Sequence, residues 1–149
     1  MPTKRNYRFI SNWESSLLQG SKQLPKESDH CFIIKSLKDV MTLYEHGFTS
    51  CAPTSENILI SEAQFNKIIS KFGNNILIWF DNDLPGVKGA NKYKKKYGVR
   101  CIFIKRKYAK DISDLYKKVS NTIFWEVVHE LTTIINDKNV KKTRHFYVF

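Results

Sequence analysis

Two carboxylates follow the most apolar stretch of the sequence. Asp81 and Asp83 come directly after "ILIWF" (76–80), and a Pro-Gly pair then turns the chain away. Two aspartates at this spacing can converge on one hard cation, because Mg²⁺ in proteins is usually held by one or two carboxylates together with a phosphate. The same residue types are common in strand-to-helix loops. The spacing therefore indicates either a metal site or an ordinary loop.

Further acids stand after other short apolar runs, namely Asp39, Glu56 and Asp111. Each has an ordinary alternative: Asp39 can belong to a helix cap, Glu56 can be an exposed loop acid, and Asp111 can cap the next helix. If the apolar runs are parallel strands, all of their carboxyl ends meet at one edge of a sheet. Carboxylates gathered there and bordered by lysines suit metal-assisted phosphoryl chemistry, in which the cation neutralises a phosphate.

The elements that would position these acids alternate between strand and helix. Continuous apolar runs predict strands buried on both faces, and amphipathic segments that end at glycine predict the helices between them. The predicted strands are 31–35, 49–53, 75–80 and 99–105, and the predicted helices are 36–47, 61–73, 86–98 and one or two within 111–137. This order predicts an α/β fold with a mainly parallel sheet of about four strands, flanked by helices.

The chain is strongly basic, with 25 Lys and Arg against 14 Asp and Glu and a net charge of +11. This excess favours an anionic partner, nucleic acid ahead of a membrane surface. Ten Lys or Arg and no acid occur between Leu84 and Lys110, whereas a solvated helix face normally mixes both charges. The residues predicted to contact nucleic acid are Lys35, Lys38, Lys88, Lys92, Lys94, Lys95, Lys96, Arg100 and Lys105.

The length of 149 residues suggests one core, with residues 1–29 as a connecting segment, 30–119 as the main domain and 120–149 as a helix and basic tail packed on it. No apolar run approaches a membrane span and the N-terminus resembles no signal peptide, so we expect a cytoplasmic protein without membrane contact. No C-x-x-C pair is present, which argues against a zinc site. The tail "RHFYVF" predicts an edge strand, with base stacking as the alternative.

In order and spacing these motifs resemble the Toprim domain, the catalytic fold of DnaG-type primases, topoisomerases, OLD-type nucleases and small RNA-maturation nucleases. The segments that carry the resemblance are "CFIIKSLKDVMTLYEHGFTSCAPTSE", "ILIWFDNDLPGVKGANKY" and "KDISD". The family pattern is a strand ending in Glu-Gly with an Asp three residues later, then a strand ending in Asp-x-Asp with a Gly soon after. Asp81 and Asp83 match the Asp-x-Asp, Gly86 matches its glycine, and Asp39 matches the aspartate of the first motif.

Within that family, "KSLKDV" and "APTSEN" are most similar to the Toprim region of phage-type primases. The resemblance implies Mg²⁺, with Mn²⁺ as an alternative, held by Asp81 and Asp83, and Glu56 at the neighbouring strand end is the candidate for a third ligand. It implies catalytic roles for Asp81 and Asp39 in nucleotidyl transfer on DNA or RNA, and Glu56 is predicted to join them from the same edge of the sheet. The partners implied are nucleic acid and other replication proteins, such as a helicase or separate primase subunits. A phage origin would place the protein in the cytoplasm of the host cell.

The sequence departs from the family at Lys35 and Ser36, where the pattern has Glu and Gly. Lysine cannot ligate Mg²⁺, and we expect it to lower the pKa of neighbouring aspartates. Either Glu56 supplies the missing carboxylate while Lys35 contacts a phosphate, or catalysis is lost and the fold only binds nucleic acid. A small metal-dependent nuclease is a further alternative. We expect a lone Toprim unit, because residues 1–29 contain no Cys/His cluster and are too short for the other primase parts.

Overall fold

In a computed structural model of the chain, residues 18–55 and 58–149 are described, and they form a six-stranded sheet with helices on both faces. The strands are β1 (Leu18–Gln19), β2 (Cys31–Ile34), β3 (Ser50–Pro53), β4 (Ile76–Trp79), β5 (Arg100–Ile104) and β6 (Phe146–Val148). The helices are α1 (Leu37–Glu45), α2 (Glu62–Phe72), α3 (Leu84–Tyr97), α4 (Ile112–Lys118) and α5 (Asn121–Asn136), with a short 3-10 helix at Ser21–Gln23.

The strand order is β1-β3-β2-β4-β5-β6. The four inner strands are parallel, which confirms the predicted α/β sheet, and each outer strand is antiparallel to its neighbour. The tail forms the predicted edge strand, β6. The two-residue strand β1 replaces part of the loop expected before residue 30, because Leu18 and Gln19 pair with Pro53 and Ala52.

Both faces of the inner sheet are covered. On one face, Phe32 and Trp79 pack with the apolar residues of α1, α4, α5 and β6. On the other face, Ile33 and Ile78 pack with those of α2 and α3. Successive residues of a strand point to opposite faces, so each continuous apolar run is shared between two cores.

The strand order reverses between β2 and β4. From β2 the chain passes through α1 to β3 on one side, and α2 then carries it back across the sheet to β4 on the other side. In open α/β sheets, ligands bind in the crevice outside the carboxyl ends of the strands at such a switch point. Lys35 directly follows β2, and Asp81 is the second residue after β4, so both lie at this position.

Five of the helices begin with a side chain that accepts a hydrogen bond from the backbone amide three residues later. These N-cap residues are Ser36, Ser61, Asp83, Asp111 and Ser120. Such caps satisfy backbone donors that the first helical turn would otherwise leave unpaired. Several polar residues after the strands therefore have a structural role.

Within the described part of the chain, no helix combines the length and the apolar composition that crossing a membrane requires.

Candidate functional site

A polar cleft of about 470 Å³ opens at the carboxyl edge of the sheet. Four aspartates, four lysines and two serines line it: Asp39, Asp81, Asp111, Asp114, Lys35, Lys38, Lys110, Lys117, Ser36 and Ser113. The cleft is thus formed by the segments that follow β2, β4 and β5, together with the first turns of α1 and α4.

Lys35 and Asp81 form an ion pair across the switch point, with the Lys35 ammonium nitrogen 2.6 Å from a carboxylate oxygen of Asp81. The Asp81 side chain is 5% exposed and that of Lys35 is 40% exposed, so the lysine reaches the acid from the rim of the cleft. Burial raises the pKa of Asp81, and the hydrogen bond and charge of Lys35 oppose that rise. Lys35 thus lowers the pKa of Asp81 as expected, but burial has the larger effect and the net shift is upward.

Asp39 is buried near the start of α1, and two serine hydroxyls bind its carboxylate. Ser36 Oγ donates to one oxygen at 3.1 Å, and Ser113 Oγ donates to the other at 2.8 Å. Burial raises the pKa of Asp39, and these hydrogen bonds oppose the rise. Since Ser113 belongs to α4, Asp39 joins the first turns of α1 and α4 at the floor of the cleft.

Asp83 and Asp111 cap the helices that follow them. Asp83 Oδ1 accepts from the backbone amide of Gly86 at 2.9 Å, and Asp111 Oδ1 accepts from that of Asp114 at 2.7 Å. The other oxygen of Asp83 lies 4.0 Å from the ammonium nitrogen of Lys110. A carboxylate that caps a helix with one oxygen can still bind a ligand with the other. Asp111 lines the cleft, whereas Asp83 is not among the residues that line it.

Gly86 allows close contact between α3 and the end of β4. A Cβ at this position would overlap the carbonyl oxygen of Asp81 and lie 2.9 Å from its carbonyl carbon. Asn82 holds the same turn from the other side, because its Nδ2 donates to the carbonyl of Ile104 on β5 at 2.6 Å. The turn that carries Asp81 and Asp83 is therefore fixed by both α3 and β5.

The described acids do not converge as a set of three metal ligands. In residues 18–55 and 58–149, no three His, Cys, Asp or Glu side chains are placed to hold a metal ion. Asp81 is paired with Lys35, and both oxygens of Asp39 accept hydrogen bonds from serines. Glu56, the third predicted metal ligand, lies outside the described residues.

The predicted basic residues fall into two spatial sets. Lys35 and Lys38 line the cleft, and Lys88 lies near the start of α3. Lys92 follows one turn later, and Lys94, Lys95 and Lys96 lie in the last turn. A helix rises 1.5 Å per residue, which puts that last turn about 16–20 Å from the Asp83 cap along the helix axis. One nucleic-acid strand would therefore have to extend along α3 to contact both sets.

Arg100 and Lys105 lie away from the cleft and have other neighbours. The Arg100 guanidinium donates to the carbonyls of Ile134 at 2.6 Å and Ile135 at 3.3 Å, so it closes the C-terminal end of α5. The Lys105 ammonium nitrogen lies 5.1 Å from the centre of the Tyr147 ring on β6. Lys105 thus belongs to the β5–β6 edge of the sheet.

Three residues of the cleft were not singled out from the sequence, namely Lys110, Asp114 and Lys117. A signal was available, because "KDISD" directly follows a predicted strand. Ser113 and Lys117 are also four residues apart, which places them on one face of a helix.

The profile of the Toprim-like family matches residues 32–116, a segment that begins in β2 and ends in α4. No curated protein matches the sequence.

Proposed function

The chain belongs to the Toprim-like family, and we propose that it is a primase-type Toprim domain that binds the sugar–phosphate backbone of nucleic acid in the cleft. Toprim domains act on nucleic acids and generally bind Mg²⁺. One observation carries the proposal. Lys35 stands where the family pattern has a glutamate, and its ammonium nitrogen lies 2.6 Å from a carboxylate oxygen of Asp81 in the cleft. A phosphate entering this cleft meets lysine ammonium groups, which bind phosphate as point charges.

The rim of the cleft supplies further positive charge. Lys38 and Lys117 are exposed, and among the described residues neither forms an ion pair. Two acids of the cleft have their charge balanced by an ion pair within the protein. Asp81 pairs with Lys35, and Asp114 pairs with Lys118 at 2.9 Å. The lysines at the rim are thus available to an anionic backbone, whose binding gains from the release of its counterions.

A second candidate is Mg²⁺- or Mn²⁺-dependent nucleotidyl transfer or strand cleavage in the same cleft. The fixed turn at Gly86 favours it, because the turn keeps Asp81 and Asp83 at one edge of the sheet, as metal binding would need. Glu56 would be the third metal ligand and Asp39 a further catalytic acid. The chain would then be a primase-like nucleotidyltransferase or a small nuclease, two activities that differ only in product.

For the biological setting we propose DNA replication in a phage-derived system, in the cytoplasm of the host cell. The similarity of "KSLKDV" and "APTSEN" to phage-type primases supports it. A helicase or separate primase subunits would be the protein partners. Residues 1–29 would connect to them, residues 30–119 would be the Toprim domain, and 120–149 would complete it. The last part is supported by α5 and β6, which share one core with α1 and α4.

The test is binding of fluorescent single-stranded DNA, single-stranded RNA and duplex, measured by anisotropy over a range of salt concentrations, with EDTA or with Mg²⁺. We expect binding in EDTA that weakens steeply with salt. Lys38→Gln and Lys117→Gln should each weaken the binding of all three ligands. Each should also reduce the slope of the logarithm of the binding constant against the logarithm of the salt concentration by about 1. Lys67→Gln, an exposed lysine on α2, is the matched control and should change neither quantity.

The two candidates separate in an Asp81→Asn, Asp83→Asn variant, in which asparagine retains the shape of each side chain and can still cap α3. The backbone-binding proposal expects EDTA-resistant binding to survive. Binding that requires Mg²⁺, or primer synthesis or cleavage that the variant loses, would favour the metal-dependent candidate. A wild-type protein that binds none of the three ligands at low salt would overturn both.

A further inference from the structure

β6 presents two aromatic rings to solvent at the edge of the sheet. Phe146 and Val148 are buried in the core, so Tyr147 and Phe149, which alternate with them, point to the opposite face. Tyr147 is 45% exposed and Phe149 is 55% exposed. Their ring centres are 6.5 Å apart, and the ring of Phe103 on β5 lies 5.7 Å from that of Phe149. The rings thus form a short row on one face.

Positive side chains border this row at both ends. At one end the Lys105 ammonium nitrogen lies 5.1 Å from the centre of the Tyr147 ring. At the other end, a groove of about 260 Å³ beside Phe149 is lined by Lys94, Lys138 and Lys141, among others. Neither 84–110 nor 138–149 contains an acid. The occupant that complements this surface is therefore anionic and carries flat groups that can stack.

A single-stranded nucleic acid has both properties. Its bases are free to stack on aromatic side chains, while its phosphates attract lysines, and each stacked base contributes measurably to binding. A duplex keeps its bases paired inside the helix and offers this surface only its phosphates. The charge and the exposed rings therefore favour a single strand over a duplex.

The row also lies between Lys105 and the lysines in the last turn of α3. β6 runs antiparallel to β5, from Phe146 opposite Ile104 at the carboxyl edge to Phe149, which is hydrogen-bonded to Cys101 near the amino edge. The row therefore begins next to Lys105, whose loop leads into the cleft, and ends beside Lys94 in the last turn of α3. The centres of its two exposed rings are 6.5 Å apart.

We propose that Tyr147 and Phe149, with Lys105 and Lys94, form a track for single-stranded DNA or RNA along the β5–β6 edge. This rests on the proposed function, since the track extends nucleic-acid binding from the cleft. Tyr147 and Phe149 stack on bases, and the lysines hold the phosphates between them.

The test compares a short fluorescent oligothymidylate with an abasic oligomer of the same length, which has the sugar–phosphate backbone without bases. The wild-type protein should bind the oligothymidylate more tightly. Tyr147→Ala and Phe149→Leu should each weaken that binding by about tenfold and leave the abasic oligomer unaffected. Tyr147→Phe keeps the ring and should bind like the wild type. Trp125→Ala removes a comparably exposed ring, 46% exposed on α5, and should also have no effect.

Equal wild-type affinity for the two oligomers, or full oligothymidylate binding by the Tyr147→Ala, Phe149→Leu double variant, would overturn the track and leave backbone binding in the cleft intact. Failure to bind either oligomer would overturn the proposed function as well. If the double variant does not fold, as judged by circular dichroism, the single variants decide the question, with Tyr147→Ala judged against Tyr147→Phe.

Discussion

The ion pair between Lys35 and Asp81 gives a direct prediction about the site. Replacing Lys35 by methionine removes the ammonium group but keeps most of the apolar length of the side chain. The buried carboxylate of Asp81 would lose the hydrogen bond at 2.6 Å and the charge that opposes the effect of burial on its pKa. The folded protein should therefore become less stable at neutral pH.

The size of the loss follows from the exposure of the pair. Leaving a buried polar group without its partner costs about 1–3 kcal/mol, and more when both charges are fully buried. Because Lys35 is 40% exposed, water screens the pair, and the expected cost is in the lower part of this range, about 1–2 kcal/mol. For a chain of this length 1 kcal/mol corresponds to about 2–4 °C, so Tm should fall by about 2–8 °C.

The loss should also depend on pH. Burial raises the pKa of Asp81 in the folded state, and removal of Lys35 should raise it further. A group whose folded-state pKa lies above its unfolded value binds protons more readily in the folded state, so stability is lost as the pH rises from about 3.9 through the folded-state pKa. Below that window Asp81 is protonated in both states, and the missing lysine should cost little.

Thermal unfolding followed by circular dichroism, at neutral pH and at about pH 3, below that window, measures both effects. Lys38→Met is the matched control, because Lys38 is an exposed lysine of the same cleft and its loss should stay within about 0.5 kcal/mol. The reasoning is refuted if the Lys35 variant unfolds at the temperature of the Lys38 variant at neutral pH, or if its deficit does not shrink on acidification.

Two further variants test the packing around the site. Gly86→Ala should lower the free energy of unfolding in urea by about 2 kcal/mol or more, because its Cβ overlaps the backbone of Asp81. Gly47→Ala is the control and should lower it less, because only the φ of +84° strains the new residue and no atom beyond its chain neighbours lies within 4 Å of the Cβ. Ser113→Ala removes a hydrogen bond that lowers the pKa of Asp39, so carbon-13 NMR titration should show a still higher pKa for Asp39. Ser120→Ala, at the N-cap of α5, is the control and should leave the pKa of Asp39 unchanged. Equal losses in the two glycine variants, or an unmoved Asp39, would contradict these accounts.

The inner sheet could be predicted from the sequence because its signals are local. β2 and β4 are continuous apolar runs, β5 is one after Arg100, and only β3 (Ser50–Pro53) has a weaker signal. The helix predicted over 61–73 is capped by Ser61 and ends at Gly73. β1 carries no such signal, since two residues become a strand only by pairing with Pro53 and Ala52 of β3. Local signals therefore predicted the helices, the inner strands and the edge strand β6, but not the edge strand β1.

The site was partly predictable for the same reason. Strand ends could be assigned from the sequence, and they bring Lys35, Asp39 and Asp81 to one cleft. The partners of these residues could not be assigned, because the hydrogen bond from Ser113 to Asp39 and the ion pair to Asp81 depend on how separate segments pack. The run of lysines was visible, but its division between the two ends of α3 depends on the direction of the helix.

The hydrogen bond between Ser113 and Asp39 joins residues 74 positions apart. Asp39 therefore acquires its full set of partners only after β4, α3, β5 and the beginning of α4 have been added to the chain. During synthesis, the amino-terminal half can form its local helices early, but the floor of the cleft must wait for residue 113, as contacts between distant segments form late and slowly. A nascent chain that ends before α4 would hold an acid in place without the hydroxyl that binds it, and would have no cleft.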